Sequence, residues 1–318
     1  MQQIKPTIGF IGAGITGTAL ACQLYRQGYP VIAVNSRSTS SAERLASHVN
    51  GCGVCSSPQQ VADLAQVVFI TTPDDVIADM AASLTWHRGQ TAVHTSGVHS
   101  IDILEHARTQ GAGVCCLHPL QTFACLQQAI ENISGSTFAI EGEGPALETA
   151  RQMAEALDGH IITLKAGDKV LYHAAAVTVS NYLVTLMKIA TDLWQSLGVP
   201  QDEAVKALLP LLKGTVHNIE TVGIPGCLTG PIARGDIGTI EKHLDTLSAG
   251  HPEALDIYTA LGIKTLGVAL AKGRLNLETA EEIKTLLEGR KPAGLVLSDA
   301  LYEELLENIP TIKGSQTK

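Results

Sequence analysis

An α/β fold is predicted, with a doubly wound parallel sheet in the N-terminal half and a mainly α-helical C-terminal half, on three observations. The first is the run Ile8-Gly9-Phe10-Ile11-Gly12-Ala13-Gly14-Ile15-Thr16-Gly17, where an apolar strand passes through GxGxxG into an apolar helix. The second is the alternation of short β-branched runs with helical segments up to Leu164. The third is the loss of that alternation: beyond Leu164 the apolar pattern is helical and no strand signal returns. The domain boundary is therefore expected between residues 164 and 165, giving domains 1–164 and 165–318.

Taken in order, strands are expected near residues 7–11, 31–35, 52–55, 67–71, 91–94, 114–117, 137–140 and 160–164. Helices fill the intervals near 15–28, 39–49, 58–64, 74–84, 100–110, 124–131 and 145–157. In the second half, residues 167–198 read as one long apolar helix closed by Gly198-Val199-Pro200. Helical segments follow near 201–220, 236–248, 252–272 and 277–288, and the polar tail from Thr311 is expected to fray.

The glycine turn carries a mechanism. Gly12 permits the tight turn, Gly14 lets the backbone approach a pyrophosphate, and Gly17 lets helix and strand pack closely. The helix that opens at Ile15 and Thr16 offers free N–H groups and a positive dipole end to phosphate. The second strand ends in Asn35-Ser36-Arg37-Ser38-Thr39-Ser40, with no carboxylate to bind a ribose 2′-hydroxyl. Arg37 suits a 2′-phosphate through its bidentate fork, with Ser36 and Ser38 adding hydroxyls. NADP(H) is therefore expected over NAD(H). The alternative for Arg37 is a solvated loop cation. The strand Val67-Val68-Phe69-Ile70-Thr71-Thr72-Pro73 should end at the crevice where the strand order reverses, which adds Thr72 and Pro73 to the cofactor site.

Composition narrows the partners. The chain has 318 residues, 22 Lys and Arg against 31 Asp and Glu, and a net charge of −9. With no basic block, nucleic acid and anionic membranes are not expected as partners. No signal peptide is read at the N-terminus, and no apolar run is expected to reach membrane-spanning length. Seven cysteines, an odd number, fit a reducing cytoplasm. Cys52 and Cys55 form a CxxC with no second pair to complete a metal site, so no metal is expected, and these two read as small buried hydrophobes. Cys115 and Cys116 read as core residues of a strand.

Three constellations compete to serve the reacting centre. Lys169 and His173 are spaced i, i+4 on the long helix, and Ser180 returns to nearly the same angle. Such a stripe on an apolar helix needs a polar destination, because an unpaired buried polar group costs roughly 2–7 kcal/mol. The bland alternative has Lys169 snorkelling to solvent and His173 bonding a backbone carbonyl. His118 follows the strand at 114–117, where it is either a crevice residue or a turn histidine. Ser96 follows the strand at 91–94, where it either bonds a ligand oxygen or caps a turn. In the second half, Arg234 is a candidate clamp for a substrate carboxylate, while Asp236 reads as the cap of the next helix with Arg234 as its ion-pair partner.

These runs carry a resemblance. On His94-Thr95-Ser96-Gly97, His118-Pro119-Leu120-Gln121-Thr122-Phe123, Tyr172-His173-Ala174-Ala175-Ala176-Val177 with Ser180-Asn181, and Thr229-Gly230-Pro231 with Arg234-Gly235-Asp236, the chain resembles the 6-phosphogluconate/β-hydroxyacid dehydrogenase and ketopantoate reductase superfamily. More narrowly, it resembles a two-domain Rossmann-like family whose helical C-terminal half is a domain of unknown function. The resemblance implies a Rossmann domain, and Lys169 in the place of the usual proton donor. His173 stands where an asparagine is usual, which is a departure. The His118-Pro119 run also resembles the catalytic histidine region of prephenate dehydrogenases, with Ser96 in the place of their serine.

The expected activity is NADP-dependent hydride transfer to a small oxo acid, with a ketopantoate-type substrate as the single best guess from the resemblance. Lys169 or His118 would protonate the forming alkoxide. Ser96, His173 and Asn181 would orient the substrate, and Arg234 would bind its carboxylate. The alternative from another class is a non-catalytic NADP(H)-binding sensor or scaffold. A prephenate- or pyrroline-type oxidoreductase would differ only in substrate. The apolar long helix further predicts a homodimer.

Overall fold

A computed structural model describes residues 5–290. It divides into two compact units, one ending at Val184 and one beginning at Thr185.

The first unit is built on a single sheet of eight strands: β1 (Ile8–Ile11), β2 (Val31–Asn35), β3 (Gly53–Val54), β4 (Val67–Ile70), β5 (Thr91–His94), β6 (Gly113–Leu120), β7 (Thr137–Gly142) and β8 (His160–Thr163). Their spatial order is β3-β2-β1-β4-β5-β6-β7-β8. The order reverses between β1 and β4, as a doubly wound fold requires. Strands β1 to β6 are parallel. The Rossmann-like parallel sheet is therefore present, with one addition. β7 pairs with β6 antiparallel, and β8 follows β7, so the last two strands run the other way. Alternation of strand and helix in a sequence does not record strand direction, which is why the reversal was not legible.

Side chains alternate between two cores. Ile8, Phe10, Phe69, Leu117 and Phe138 face one layer, which holds α1 (Ile15–Arg26), α2 (Thr39–His48), α6 (Leu126–Asn132) and α7 (Gly144–Ala156). Ile11, Val68, Ile70, Ala92 and Cys116 face the other, which holds α3 (Pro58–Leu64), α4 (Ile77–Ala82), a 3-10 turn at Ile101–Leu104 and α5 (Glu105–Thr109). Each fully buried Ile, Leu or Phe contributes about 1.5–3 kcal/mol, so this alternation fixes the register of the buried strands.

Two strand expectations are corrected. β3 has only two residues, both exposed. β6 is longer than residues 114–117: it runs to Leu120, four residues past its last rung with β5 (His94↔Cys116), and residues 117–120 pair with β7 alone. His118 therefore lies inside a strand and not in the turn after it.

The long helix expected at 167–198 is two helices, α8 (Asp168–Val179) and α9 (Asn181–Gln195), with Ser180 at the break. In the turn before the break, the Thr178 hydroxyl donates to the Ala174 carbonyl at 2.8 Å. Ser180 is thus not on a continuous stripe with Lys169 and His173.

The second unit is helical: the rest of α9, then α10 (Gln201–Val222), α11 (Pro231–Arg234), α12 (Ile237–Gly250), α13 (Pro252–Ala271) and α14 (Leu277–Glu288). Its core gathers Ile240, Leu244, Ala269, Ile283 and Leu287. Asp236 and Asn276 cap α12 and α14 through bonds to Thr239 N and Thr279 N. Two stretches, Asp168–Gln195 and Pro252–Ala271, are long and apolar enough to cross a membrane by length and composition alone, which corrects the expectation that none is. The first carries Lys169, His173, Lys188 and Asp192 and is interrupted at Ser180, whereas the second contributes Leu255, Leu266 and Ala269 to the core of its unit. The tail from Thr311 lies outside the described residues.

Candidate functional site

A cleft of about 1170 Å³ opens at the C-terminal ends of β1, β2 and β4. Of the predicted cofactor residues, Gly12, Ala13, Gly14, Ile15, Ser36, Arg37, Ser38, Thr72 and Pro73 line it, while Thr16 and Gly17 do not. Gly17 serves packing, since a Cβ there would press on the Thr71 side chain. Gly12 holds φ +105°, and a Cβ on it would sit 2.7 Å from the Thr71 backbone. Thr71 ties the turn down by donating its hydroxyl to Gly12 O at 2.8 Å.

The cleft suits a phosphorylated anion. Gly14 has ordinary torsions, and a Cβ on it would meet nothing within 4 Å. No side chain caps the start of α1, and its first turn has no acidic residue, so its leading N–H groups are free for a ligand. Arg37 and Arg44 line the cleft and no carboxylate does. Among the described residues Arg37 makes no ion pair. The Thr72 hydroxyl is buried and has no partner. Arg44, on α2, was not singled out in the sequence, although it lies two turns of chain beyond Arg37. Cys55 also lines the cleft, and burial pushes Cys52 up to about 11 and Cys55 upward, which keeps both as thiols. Among the described residues no group of three His, Cys, Asp or Glu side chains is placed to hold a metal ion.

Immediately after Pro73, the chain connects the cleft to a second, polar cluster. Asp74 Oδ2 accepts a 2.8 Å bond from the Ser96 hydroxyl, which itself accepts from Val98 N and His99 N. The Ser96 Oγ is thus committed within the protein. Its carbonyl accepts from Lys169 Nζ at 2.6 Å, and Lys169 also donates to Cys116 Sγ at 2.7 Å. Lys169 is only 2% exposed, so it does not snorkel to solvent. Cys116 is a core residue, as expected, and it also meets Lys169. Burial raises its thiol to about 11 against the pull of the Lys169 ammonium.

His118 lies on the projecting part of β6. Its Nδ1 shares a 2.8 Å hydrogen bond with the Tyr172 hydroxyl, and its ring lies edge-on to Tyr172 and to His173. Burial lowers His118 to about 4, helped by Lys169 and His173, so the ring is neutral near pH 7. Gly97 is the floor beneath both histidines: a Cβ on it would fall 2.6 Å from His173 and 2.8 Å from His118. His94 is buried beside this group, accepts from Ser96 N through Nδ1, and leaves Nε2 without a partner. Burial first, then Lys169, holds its pKa well below the usual range.

The structure therefore brings together Ser96, His118, Lys169 and His173. Asn181 is exposed at the start of α9. Arg234, in the second unit, lies 3.7 Å from Asp236, whose carboxylate is held below its ordinary range by the Thr239 hydroxyl and amide. Sequence reasoning gave no role in the cluster to Asp74, His94 or Tyr172, and did not show that Cys116, a core residue as expected, also meets Lys169. The usable signals were Tyr172 beside His173, and Cys116 two residues before His118 on one strand face.

Residues 1–119 match the model of the Rossmann-like domain, and residues 136–265 match that of a domain of unknown function, DUF2520. Protein TM1727 from Thermotoga maritima is 26% identical, with a TM-score of 0.66 over 86% of this chain and 98% of its own. A reductive aminase from Aspergillus terreus, solved with NADPH and ethyl-5-oxohexanoate, is 19% identical, with a TM-score of 0.55 over 90% of this chain and 93% of its own. Among curated proteins, glyoxylate/succinic semialdehyde reductase 1 from Arabidopsis thaliana is 29% identical over 167 residues, 52% of this chain. The chain matches about half (49%) of that relative's length.

Proposed function

With a Rossmann-like N-terminal domain, a helical C-terminal region and a fold related to the NADP(H)-linked oxidoreductase and ketopantoate reductase superfamily as the premise, we propose that this chain is an NADP(H)-dependent reductase of a small oxo acid. One observation carries the reading. An anion-ready glycine turn with two arginines is joined through Pro73 and Asp74 to a cluster holding a buried lysine and two histidines. The names of the relatives support the same reading: two are reductases or reductive aminases, one solved with NADPH and an oxo compound.

NADPH, when bound, supplies the hydride that reduces the substrate carbonyl carbon. Gly12, Ala13, Gly14 and the start of α1 would hold its diphosphate, and Arg37 with Ser36 and Ser38 its 2′-phosphate. Lys169 has three N–H donors, and two are spent on Ser96 O and Cys116 Sγ. The third remains to protonate the forming alkoxide. His118, being neutral, offers a hydrogen bond and no positive charge, and Tyr172 fixes the orientation of its ring. Lys169 is therefore the proton donor in this proposal, with His118 and His173 orienting the carbonyl. Ser96 acts through its backbone carbonyl. Asn181 is proposed to orient the substrate.

A ketopantoate-type 2-oxo acid is the proposed substrate, and the protein is proposed to work in the cytoplasm, where its seven cysteines stay reduced. Homodimerisation is supported by exposed apolar side chains on α8 and α9, among them Leu171 (78%), Val179 (71%) and Val184 (71%).

The test is NADPH oxidation against a panel of oxo acids that includes ketopantoate, glyoxylate and succinic semialdehyde, for the wild type and Lys169→Met. Turnover that falls at least a hundredfold in Lys169→Met is expected, in line with the range of general-acid contributions. Saturable NADPH binding without turnover on any member of the panel would instead favour a sensor or scaffold.

A further inference from the structure

Among the described residues, Lys169 and Glu141 are the only Lys, Arg, Asp or Glu side chains that are buried, at 2% and 4% exposed. Neither has an ion-pair partner within 4 Å there. Lys169 donates only to neutral acceptors, Ser96 O and Cys116 Sγ. Glu141 accepts only from neutral donors, the Ser100 hydroxyl at 2.5 Å and Ile101 N at 3.4 Å, and its Oε2 has no partner at all. The two charges nevertheless flank one side chain. Cys116 and Glu141 are directly opposite residues of the antiparallel β6–β7 pair, so their side chains rise from the same face of the sheet. The Cys116 sulfur is the atom that Lys169 touches.

We infer that Glu141 is the buried countercharge of Lys169, acting across the Cys116 thiol, which makes it a positioning residue for the lysine. The role given to Lys169 rests on the reductase reading; the charge pairing does not. An isolated buried charge is costly, and an opposite charge in the same low-dielectric pocket offsets that cost. The other candidates for the countercharge are poorer. Asp74 is exposed and spends Oδ2 on Ser96. Cys116 is a thiol, not a thiolate, at neutral pH. His94 and His118 are neutral and carry no negative charge in any state that matters.

The experiment is a double-mutant cycle. Glu141→Gln keeps an acceptor for Ser100 and Ile101 and removes only the charge, and Lys169→Met removes the opposite charge at similar volume. Thermal unfolding of the four proteins needs neither cofactor nor substrate. Glu141→Gln should lower Tm by several degrees beside Lys169 and by less than half as much beside Met at 169, because charges that share a pocket are non-additive. Additive Tm changes overturn the inference. If Glu141→Gln does not fold alone, the double variant is expected to fold, and its failure to do so overturns the inference as well. In the reductase assay, Glu141→Gln should lose at least tenfold in kcat, with the Kd for NADPH within twofold of wild type. Unchanged kcat would remove the positioning role. A wild type that turns over no oxo acid would refute the reductase reading alone and leave the unfolding cycle to decide the pairing.

Discussion

Replacing Gly14 by alanine should separate ligand binding from folding. Its φ of −72° and ψ of −175° are torsions alanine adopts freely, and the added Cβ meets nothing within 4 Å. A Gly→Ala change at a compatible backbone stabilises a protein by about 0.4–1 kcal/mol, through the unfolded chain. The fold should therefore gain slightly. The same methyl projects into the space where the diphosphate is proposed to lie. Overpacking there, at about 1–3 kcal/mol, weakens NADPH binding roughly 5-fold to 150-fold. Gly12→Ala is the contrast. A left-handed torsion costs a non-glycine residue about 1–2 kcal/mol, and its Cβ would also press on the Thr71 backbone. That variant should lose both stability and affinity. The assays are chemical denaturation of the free protein and fluorescence titration with NADPH. If Gly14→Ala binds NADPH as well as wild type does, the diphosphate is not cradled at this turn, and the reasoning fails.

Other outcomes follow from the same geometry. Arg37→Ala should raise the KM for NADPH about 30-fold, matching about 2 kcal/mol for charge-assisted bonds to a phosphate, with little change for NADH; equal effects on both would remove Arg37 from the 2′-phosphate site. His118 is depressed from 6.5 to about 4 in the folded protein, so the unfolded chain binds the extra proton between those values. Its contribution, about 3 kcal/mol at most, is complete above pH 6.5 and is lost as pH falls toward 4. The fall of Tm over that range should be shallower in His118→Asn, and an identical slope would deny the burial of the neutral ring. Limited alkylation near neutral pH should modify exposed Cys125 first and fully buried Cys115 and Cys116 last, as read by peptide mass spectrometry; early labelling of Cys116 would contradict its enclosure beside Lys169.

Much of the first unit could be read from the chain because its signals are local. The glycine turn, the β-branched runs and the carboxylate-free end of β2 each lie within a few residues. Lys169 and His118 were also visible, as polar residues in apolar surroundings. Which residues they meet was not. The bond from Lys169 to Ser96 spans 73 residues of sequence, and that from His118 to Tyr172 spans 54. No periodicity records such a pairing. Glu141 lies just past the strand expected at 137–140, and only the longer, reversed strand β7 sets it against Cys116. The break at Ser180 was hidden because the apolar helical pattern runs on unchanged across it.

The four residues by which β6 outruns β5 leave one long edge of backbone without a neighbouring strand. Such an edge is a template on which a foreign chain can add itself. Pro119 sits in the middle of it, still paired on its other side with Phe138. Proline has no N–H to give, and within sheets it is tolerated where the missing donor would have faced outward. The overhang that carries His118 is thereby blunted against unwanted strand addition.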